Sequence, residues 1–432
     1  MSPTKLPALL VPRSRFQLSC GAVLVVSPRP GAPVTAARFH VRGGNALDPQ
    51  GKEGLAYLTG QLTDQGTADY DESQLAAIIE PAGGGISGGV NGLTGSIAGD
   101  SWKLLLDMMG ELFCRASYPT GAVAVHRERI VNRLMVREDD PQAAAAQLFR
   151  GLVYGDHYLG RSPYGTAATV AGLSPKDLRT HRKNNWVGER LWIGICGDVD
   201  PVKVKRHLEK VLRGLPRGKA FEPSEPQYPK LGRRVAAFSK QREQVHVHLG
   251  HLGVSRAVKD WAAIVVMDHV LGSGPGFTNR ISRILRDEQG LAYSVHAGLH
   301  NSAGLRRGVF NAYIGTSPEN VSTAVAGFLQ EIRRIQEEPV GREELELAKD
   351  YLLGSFVMGY ERASRRAGYL ISSELHKHPE DHLERLPKAY AAVTSEDVQA
   401  AAQTYLHPDR CCLAAAGPVS AKELRAILGK PG

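Results

Sequence analysis

The stretch Gly272–Val295 reads GSGPGFTNRISRILRDEQGLAYSV. Gly272, Gly274 and Gly276, with Pro275 among them, make a turn. Phe277, Ile281, Ile284 and Leu285 follow at helical spacing, which predicts an amphipathic helix. It stops near Gln289-Gly290, where glycine suits a C-cap. Leu291, Tyr293 and Val295 then alternate with smaller residues, as a strand does. Arg286 is thereby placed in a last helical turn and Tyr293 on the strand that leaves it. Such a corner can aim both side chains at one point. Each also has an ordinary explanation: the arginine complements the helix dipole, and a tyrosine at a strand start is usually an amphipathic core residue.

Outward from this corner the chain has the order of a duplicated unit. Strands over 233–238 and 243–252 and a helix over 257–271 are predicted before it. After it come a strand pair at 291–299 and 306–314, and helices at 317–337, 342–364, 364–377 and 393–406. A strand over Arg410–Ala416 and a helix over 420–428 close the chain. The first half has strands within 16–45, helices opening at Gly54 and near Tyr70, and a glycine-rich hairpin over 83–99. Helices at about 100–116, 120–138, 141–154 and 174–185 and a strand over Arg190–Cys196 complete it. RLWIGICGDVDPVKV ends one half and RCCLAAAGPVSAKEL the other, each a strand, a glycine and a helix start. The expected fold is α+β: two tandem homologous domains, each a mostly antiparallel sheet packed with helices. Residues 213–231 hold four prolines among polar residues, so the predicted domains are 1–213 and 232–432, joined by a linker over 214–231.

A chain of 432 residues with 42% hydrophobic and 22% charged residues is globular and long enough for two or three domains. The five cysteines, Cys20, Cys114, Cys196, Cys411 and Cys412, show no C-x-x-C, so neither a disulfide framework nor a thiolate zinc site is indicated. Leu6–Val11 is short and broken by Pro7, unlike the apolar core of a signal peptide, and no apolar run is long enough to span a bilayer. A cytoplasmic location is the expectation. The net charge of +9 is spread along the chain without the aromatic interleaving of a single-strand reader, so no nucleic-acid partner is expected.

The opening stretch resembles the C-terminal-domain signature of the pitrilysin/insulinase family of zinc peptidases, in its two-domain processing-peptidase-like branch. That signature runs Ser-Arg-Leu, a charged helix end, then Gly-Leu-Ala-Tyr-Ser-Val. Arg280 falls on its first arginine, and Arg286 and Tyr293 have the spacing of a family pair that binds substrate near the scissile peptide. Further family-like pieces are Arg137–Pro141, His157–Arg161 leading to Gly165-Thr166, and Leu173–Leu178.

The resemblance also exposes a loss. Catalytic members of the family carry Gly-Leu-Ala-His, two residues, then Glu-His. Here Gly54-Leu55-Ala56 leads to Tyr57 and Gln61 where the histidines belong, and to Gly60 where the glutamate belongs. The third ligand, a glutamate in a later helix, corresponds to Arg133. Histidines at i and i+4 can grip one zinc while the glutamate takes a proton from metal-bound water. Tyrosine and glutamine are poor zinc ligands, glycine has no side chain, and a guanidinium repels the ion. The chain is therefore expected to hold no metal or other cofactor.

Other candidates are weaker. His246 and His248 share a strand face with His251 nearby, but no acidic or cysteine partner is evident, which favours histidines buried under a helix over a metal site. His376, His378 and His382 flank Pro379 in what reads as a polar loop. The Gly272–Gly276 turn lacks the Lys-Ser/Thr of a phosphate loop. The resemblance implies a non-catalytic, substrate-binding subunit of a heterodimeric zinc peptidase. Its partner would be a homologous protein with H-x-x-E-H and the zinc, and its ligand a peptide or unfolded polypeptide. The alternatives are a structural relative without proteolytic role, as in respiratory-complex core subunits of this fold, and a hydrolase using an unfamiliar site.

Overall fold

The structure is a computed structural model that describes residues 9, 11–224, 226–230, 232–274 and 278–429. The strands are β1 (Ser14–Gln17), β2 (Val23–Pro28), β3 (Val34–Val41), β4 (Gly85–Gly89), β5 (Gly92–Ala98) and β6 (Leu191–Gly197) in the first half. The second half has β7 (Arg234–Ser239), β8 (Val245–Leu252), β9 (Val295–Gly298), β10 (Val309–Thr316) and β11 (Cys412–Gly417). The first sheet is ordered β1-β2-β6-β3-β5-β4 and the second β7-β11-β8-β10-β9. Without β1 the two orders match strand for strand. Each has one parallel pair, β2 with β6 and β7 with β11, and is otherwise antiparallel. The fold is therefore the expected α+β repeat. Among the described residues of 198–233 there is one helix, Pro201–Val211, between the two sheets' strands.

Alternation decides which strand face is buried. Leu24 and Val26 of β2, Phe39 of β3 and Ile193 and Ile195 of β6 join the helix Trp102–Arg115 in one core. Val247 and Leu249 of β8, Phe310 and Ala312 of β10 and Leu413 of β11 form the other, against the helices Val321–Glu337 and Ser395–Tyr405.

The opposite faces are covered by exchange. The helix Pro141–Tyr154, from the first half, packs Phe149, Val153 and Tyr154 on Leu252, Cys412 and Ala414 of the second sheet. The helix Ala363–Leu375, from the second half, sets Ala363 and Ala367 on Ala36 and Cys196 of the first. A Cβ at Gly194 would stand 2.4 Å from the Ala367 carbonyl, so β6 needs glycine where that helix crosses.

Three expectations are corrected. Tyr293 is not on a strand: β9 begins at Val295, because Thr316 Oγ1 donates to the Leu291 carbonyl (2.6 Å) before ladder pairing starts. The winding of the opening stretch is π-type, over His269–Ser273 and Ser282–Glu288, while Pro275, Gly276 and Phe277 lie outside the described residues. The histidine-rich stretch is a loop only over residues 376–381, and His376 and His378 are half-buried there. His382 opens a helix, His382–Ala392, and its ring stacks on His378 at 3.8 Å, with His376 on the far side at 5.4 Å. Burial, then neighbouring cations, pushes His378 down to about 3 and His382 to about 4.

Candidate functional site

The helix Leu55–Gln61 is short, and its N-terminus is held by one carboxylate. Asp48 accepts from the Gly54 amide (2.9 Å) and the Ala56 amide (2.7 Å), which satisfies donors the helix itself leaves open. Leu55 and Leu58 anchor it against Tyr118, Val123 and Ile130. Tyr57 and Gln61 lie one turn apart, and the Tyr57 hydroxyl donates to Gln61 Oε1 at 3.2 Å. Gln61 Nε2 donates in turn to the Gly88 carbonyl of β4 at 2.6 Å.

At Gly60 the helix backbone rests on the β4 backbone. A Cβ there would stand 2.1 Å from the Gly89 carbonyl oxygen, and one at Gly88 would stand 1.9 Å from that of Gly60. No side chain fits at position 60, and a carboxylate base least of all. Sequence reasoning did not anticipate this contact; its signal is the run of glycines at 83–92 opposite a helical glycine.

Arg133, on the helix Thr120–Asp139, faces the same region. Tyr57, Arg133, Arg137 and Tyr164 form one wall of a cavity of about 740 Å³, whose other wall is His248, His296 and Tyr313 of the second sheet. Tyr57 meets Tyr164 edge-on at 5.0 Å, and the Arg137 guanidinium lies 5.1 Å from the Tyr164 ring centre. His248 Nδ1 pairs with Asn311 Oδ1 and His246 Nδ1 with the Tyr313 hydroxyl, each at 2.9 Å. Phe149 of the exchanged helix stacks on His248, so this histidine is buried under a helix. Burial pushes His248 down to about 4 and lowers His246 and His296. Among the described residues no group of three or more His, Cys, Asp or Glu side chains is placed to hold a metal ion. The hydroxyl, amide and guanidinium of Tyr57, Gln61 and Arg133 do not suit zinc.

Arg286 and Tyr293 sit elsewhere on the second half. The π-type turn ends with the Leu291 amide on the Leu285 carbonyl (2.9 Å), and Gly290 supplies φ +64°. Arg286 Nε donates to Asp287 Oδ1 at 2.7 Å and Nη2 to Oδ2 at 3.2 Å, a two-point contact. The hydrogen bond to that carboxylate raises the Arg286 pKa, and the Tyr293 phenol adds to the same effect. Tyr293 is 96% exposed. Arg280 is instead buried and forks onto Glu344 with two contacts of 2.8 Å, which makes it a packing arginine.

Residues 172–352 match the family profile described as the peptidase M16 inactive domain. This stretch is similar to the inactive domain of M16 peptidases. The family resemblance read from the sequence holds, and it extends well beyond the matched stretch. A Mycobacterium tuberculosis protein named as an uncharacterised zinc protease is 25% identical over 453 residues, covering 99% of both chains. A peptidase M16 inactive domain of Pseudomonas fluorescens superposes with a TM-score of 0.87 at 21% identity, covering 95% of this chain and 99% of its own. A subunit of complex III2 from Candida albicans has the same fold, with a TM-score of 0.78 at 13% identity over 96% of this chain and 100% of its own.

Within the M16 fold, the residues singled out from sequence fall into two groups. Tyr57, Gly60, Gln61 and Arg133 gather around one short helix and its cavity, while Arg286, half-buried, and Tyr293, exposed, lie elsewhere. Neither of the latter is among the cavity-lining residues. His296, Tyr313, Arg137 and Tyr164 join the first group only through the tertiary structure. No helix among the described residues is long and apolar enough to cross a membrane.

Proposed function

We propose that this M16 chain is the non-catalytic, substrate-binding subunit of a heterodimeric zinc peptidase in the cytoplasm. The observation that carries the reading is a contrast. The helix Leu55–Gln61 is closed at Gly60 by β4, while Tyr293 stands exposed one glycine-capped turn after the half-buried Arg286. A homologous partner with H-x-x-E-H supplies the zinc. Arg286 and Tyr293 reach the partner's substrate, where a guanidinium and a phenol donate to the peptide carbonyl as it gains charge. Arg286 exchanges Asp287 for the substrate in doing so, and the partner's edge strand holds the peptide by strand addition. Peptidase activity and bound zinc are measured for the chain alone, for the partner and for the mixture. The chain alone is expected to be inactive and zinc-free, and to be required for full activity of the mixture. Arg286→Ala and Tyr293→Phe lower turnover and leave the complex assembled. Wild-type rates in both variants would sink the assigned role.

A structural role without proteolysis is the second reading. It is favoured by Asp287, which already occupies the Arg286 fork within this chain. Partner binding without any change in the partner's activity would establish it.

A further inference from the structure

The cavity beside the degenerate helix has a charge opposite to that of a zinc-ligand set. Arg133 and Arg137 are four residues apart on the helix Thr120–Asp139, so their guanidiniums project from one face. Neither has an ion pair among the described residues, and the nearby carboxylates are already engaged. Glu138 accepts from the Ala167 amide (2.7 Å), Asp139 pairs with Lys240 and Arg242, and Asp140 caps the next helix through the Ala143 amide (2.7 Å). Asp140 is the cavity's one acidic lining residue among those described. Across the gap burial pushes His248 down to about 4, and desolvation lowers the pKa of His296, and neither histidine adds a competing anionic group. Tyr57, Leu134, Val136 and Tyr164 supply an apolar body to the same space. About 740 Å³ is within the size range of ligand pockets.

We propose that this cavity binds a peptide carboxylate, with Arg133 and Arg137 holding the anion and Tyr57, Leu134, Val136 and Tyr164 contacting the adjoining residues. The guanidinium fork matches the planar, two-oxygen carboxylate. The apolar walls favour a carboxylate carried on a peptide over a small, fully hydrated anion. The site of a lost anionic metal ligand has become, by inversion at position 133, a site for an anionic substrate group. The carboxylate belongs to the peptide's C-terminus or to one of its acidic side chains. The proposal takes from the preceding reading only that the ligand is a peptide, and it needs no partner subunit.

The test is fluorescence anisotropy on the full chain alone with three labelled peptides of one apolar sequence: a free C-terminal acid, its amide, and an amide with one internal aspartate. Binding of the free acid but not its amide identifies the C-terminus as the source. Binding of the aspartate peptide identifies a side chain. In either case Arg133→Gln and Arg137→Gln each weaken binding about tenfold, and added salt weakens it further. Both arginines are exposed, so the variants fold. Equal binding of the neutral amide, no binding of any peptide, or full affinity in the double variant overturns the proposal. Because no partner is present, failure of the heterodimer reading leaves this result interpretable.

Discussion

Replacing Gly60 by alanine adds one methyl group where the helix Leu55–Gln61 meets β4. In an unobstructed helix interior the change stabilises by roughly 0.8–1.0 kcal/mol. Here the new carbon would start 2.1 Å from the Gly89 carbonyl oxygen. An ordinary carbon–oxygen contact is about 3.3 Å or more, so helix and strand must part by about 1 Å. Overpacking of this kind costs roughly 1–3 kcal/mol. Parting also stretches the 2.6 Å bond from Gln61 Nε2 to the Gly88 carbonyl, a net loss of about 1 kcal/mol. The sum is a destabilisation of roughly 1–3 kcal/mol, opposite in sign to the helix propensity. Gly354→Ala is the control, because a Cβ there meets nothing within 4 Å inside the helix Arg342–Met358; it stabilises by roughly 0.5–1 kcal/mol. Urea unfolding followed by circular dichroism reads both. A Gly60→Ala protein as stable as wild type would refute the backbone contact, and with it the argument that no base fits at this position.

Tyr293→Phe and Arg286→Ala are expected to change unfolding free energy by less than about 0.5 kcal/mol, since Tyr293 is 96% exposed; a larger loss in urea would mark the pair as structural. Burial holds His40, His181, His248 and His251 at about 4, below the ordinary 6.5, so the unfolded chain binds more protons. Their contribution is present above about pH 6.5 and is lost as pH falls toward about 4, which Tm measured across that window checks. Asp48 goes the other way. Burial pushes it up to about 7 from 3.8, so its contribution to stability declines as pH rises from about 4 through 7. Asp48→Asn removes that slope, and the Tm difference from wild type shifts in the variant's favour over the same window; a constant difference would mean that Asp48 does not titrate there.

Much of the fold was legible because periodicity is local. The helices expected at 120–138 and 141–154 are found at Thr120–Asp139 and Pro141–Tyr154, the latter opened by the Asp140 cap and Pro141. The helix His382–Ala392 is hidden from pattern reading because Pro387 lies inside it and three histidines precede or open it, which reads as a breaker in polar sequence. The strand expected at Tyr293 is absent for a different reason. Alternation over Leu291–Val295 is real, but a side-chain donor, Thr316, takes the backbone carbonyl at Leu291 before β10 offers a ladder.

The sequence by itself determined the two-copy order of elements, the residue types at Tyr57, Gly60, Gln61 and Arg133, and the spacing of Arg286 and Tyr293 across a glycine-capped turn. Each is a matter of residue identity or of spacing within a few turns, and local backbone geometry converts spacing into direction. Only the tertiary structure decided that Pro141–Tyr154 covers the second sheet and Ala363–Leu375 the first. It alone pressed Gly60 onto Gly89 and set Arg133 opposite His248. Those contacts join segments far apart in sequence, and they form because two half-buried sheets must each find an apolar cover, a condition met by the whole chain and by no stretch of it alone.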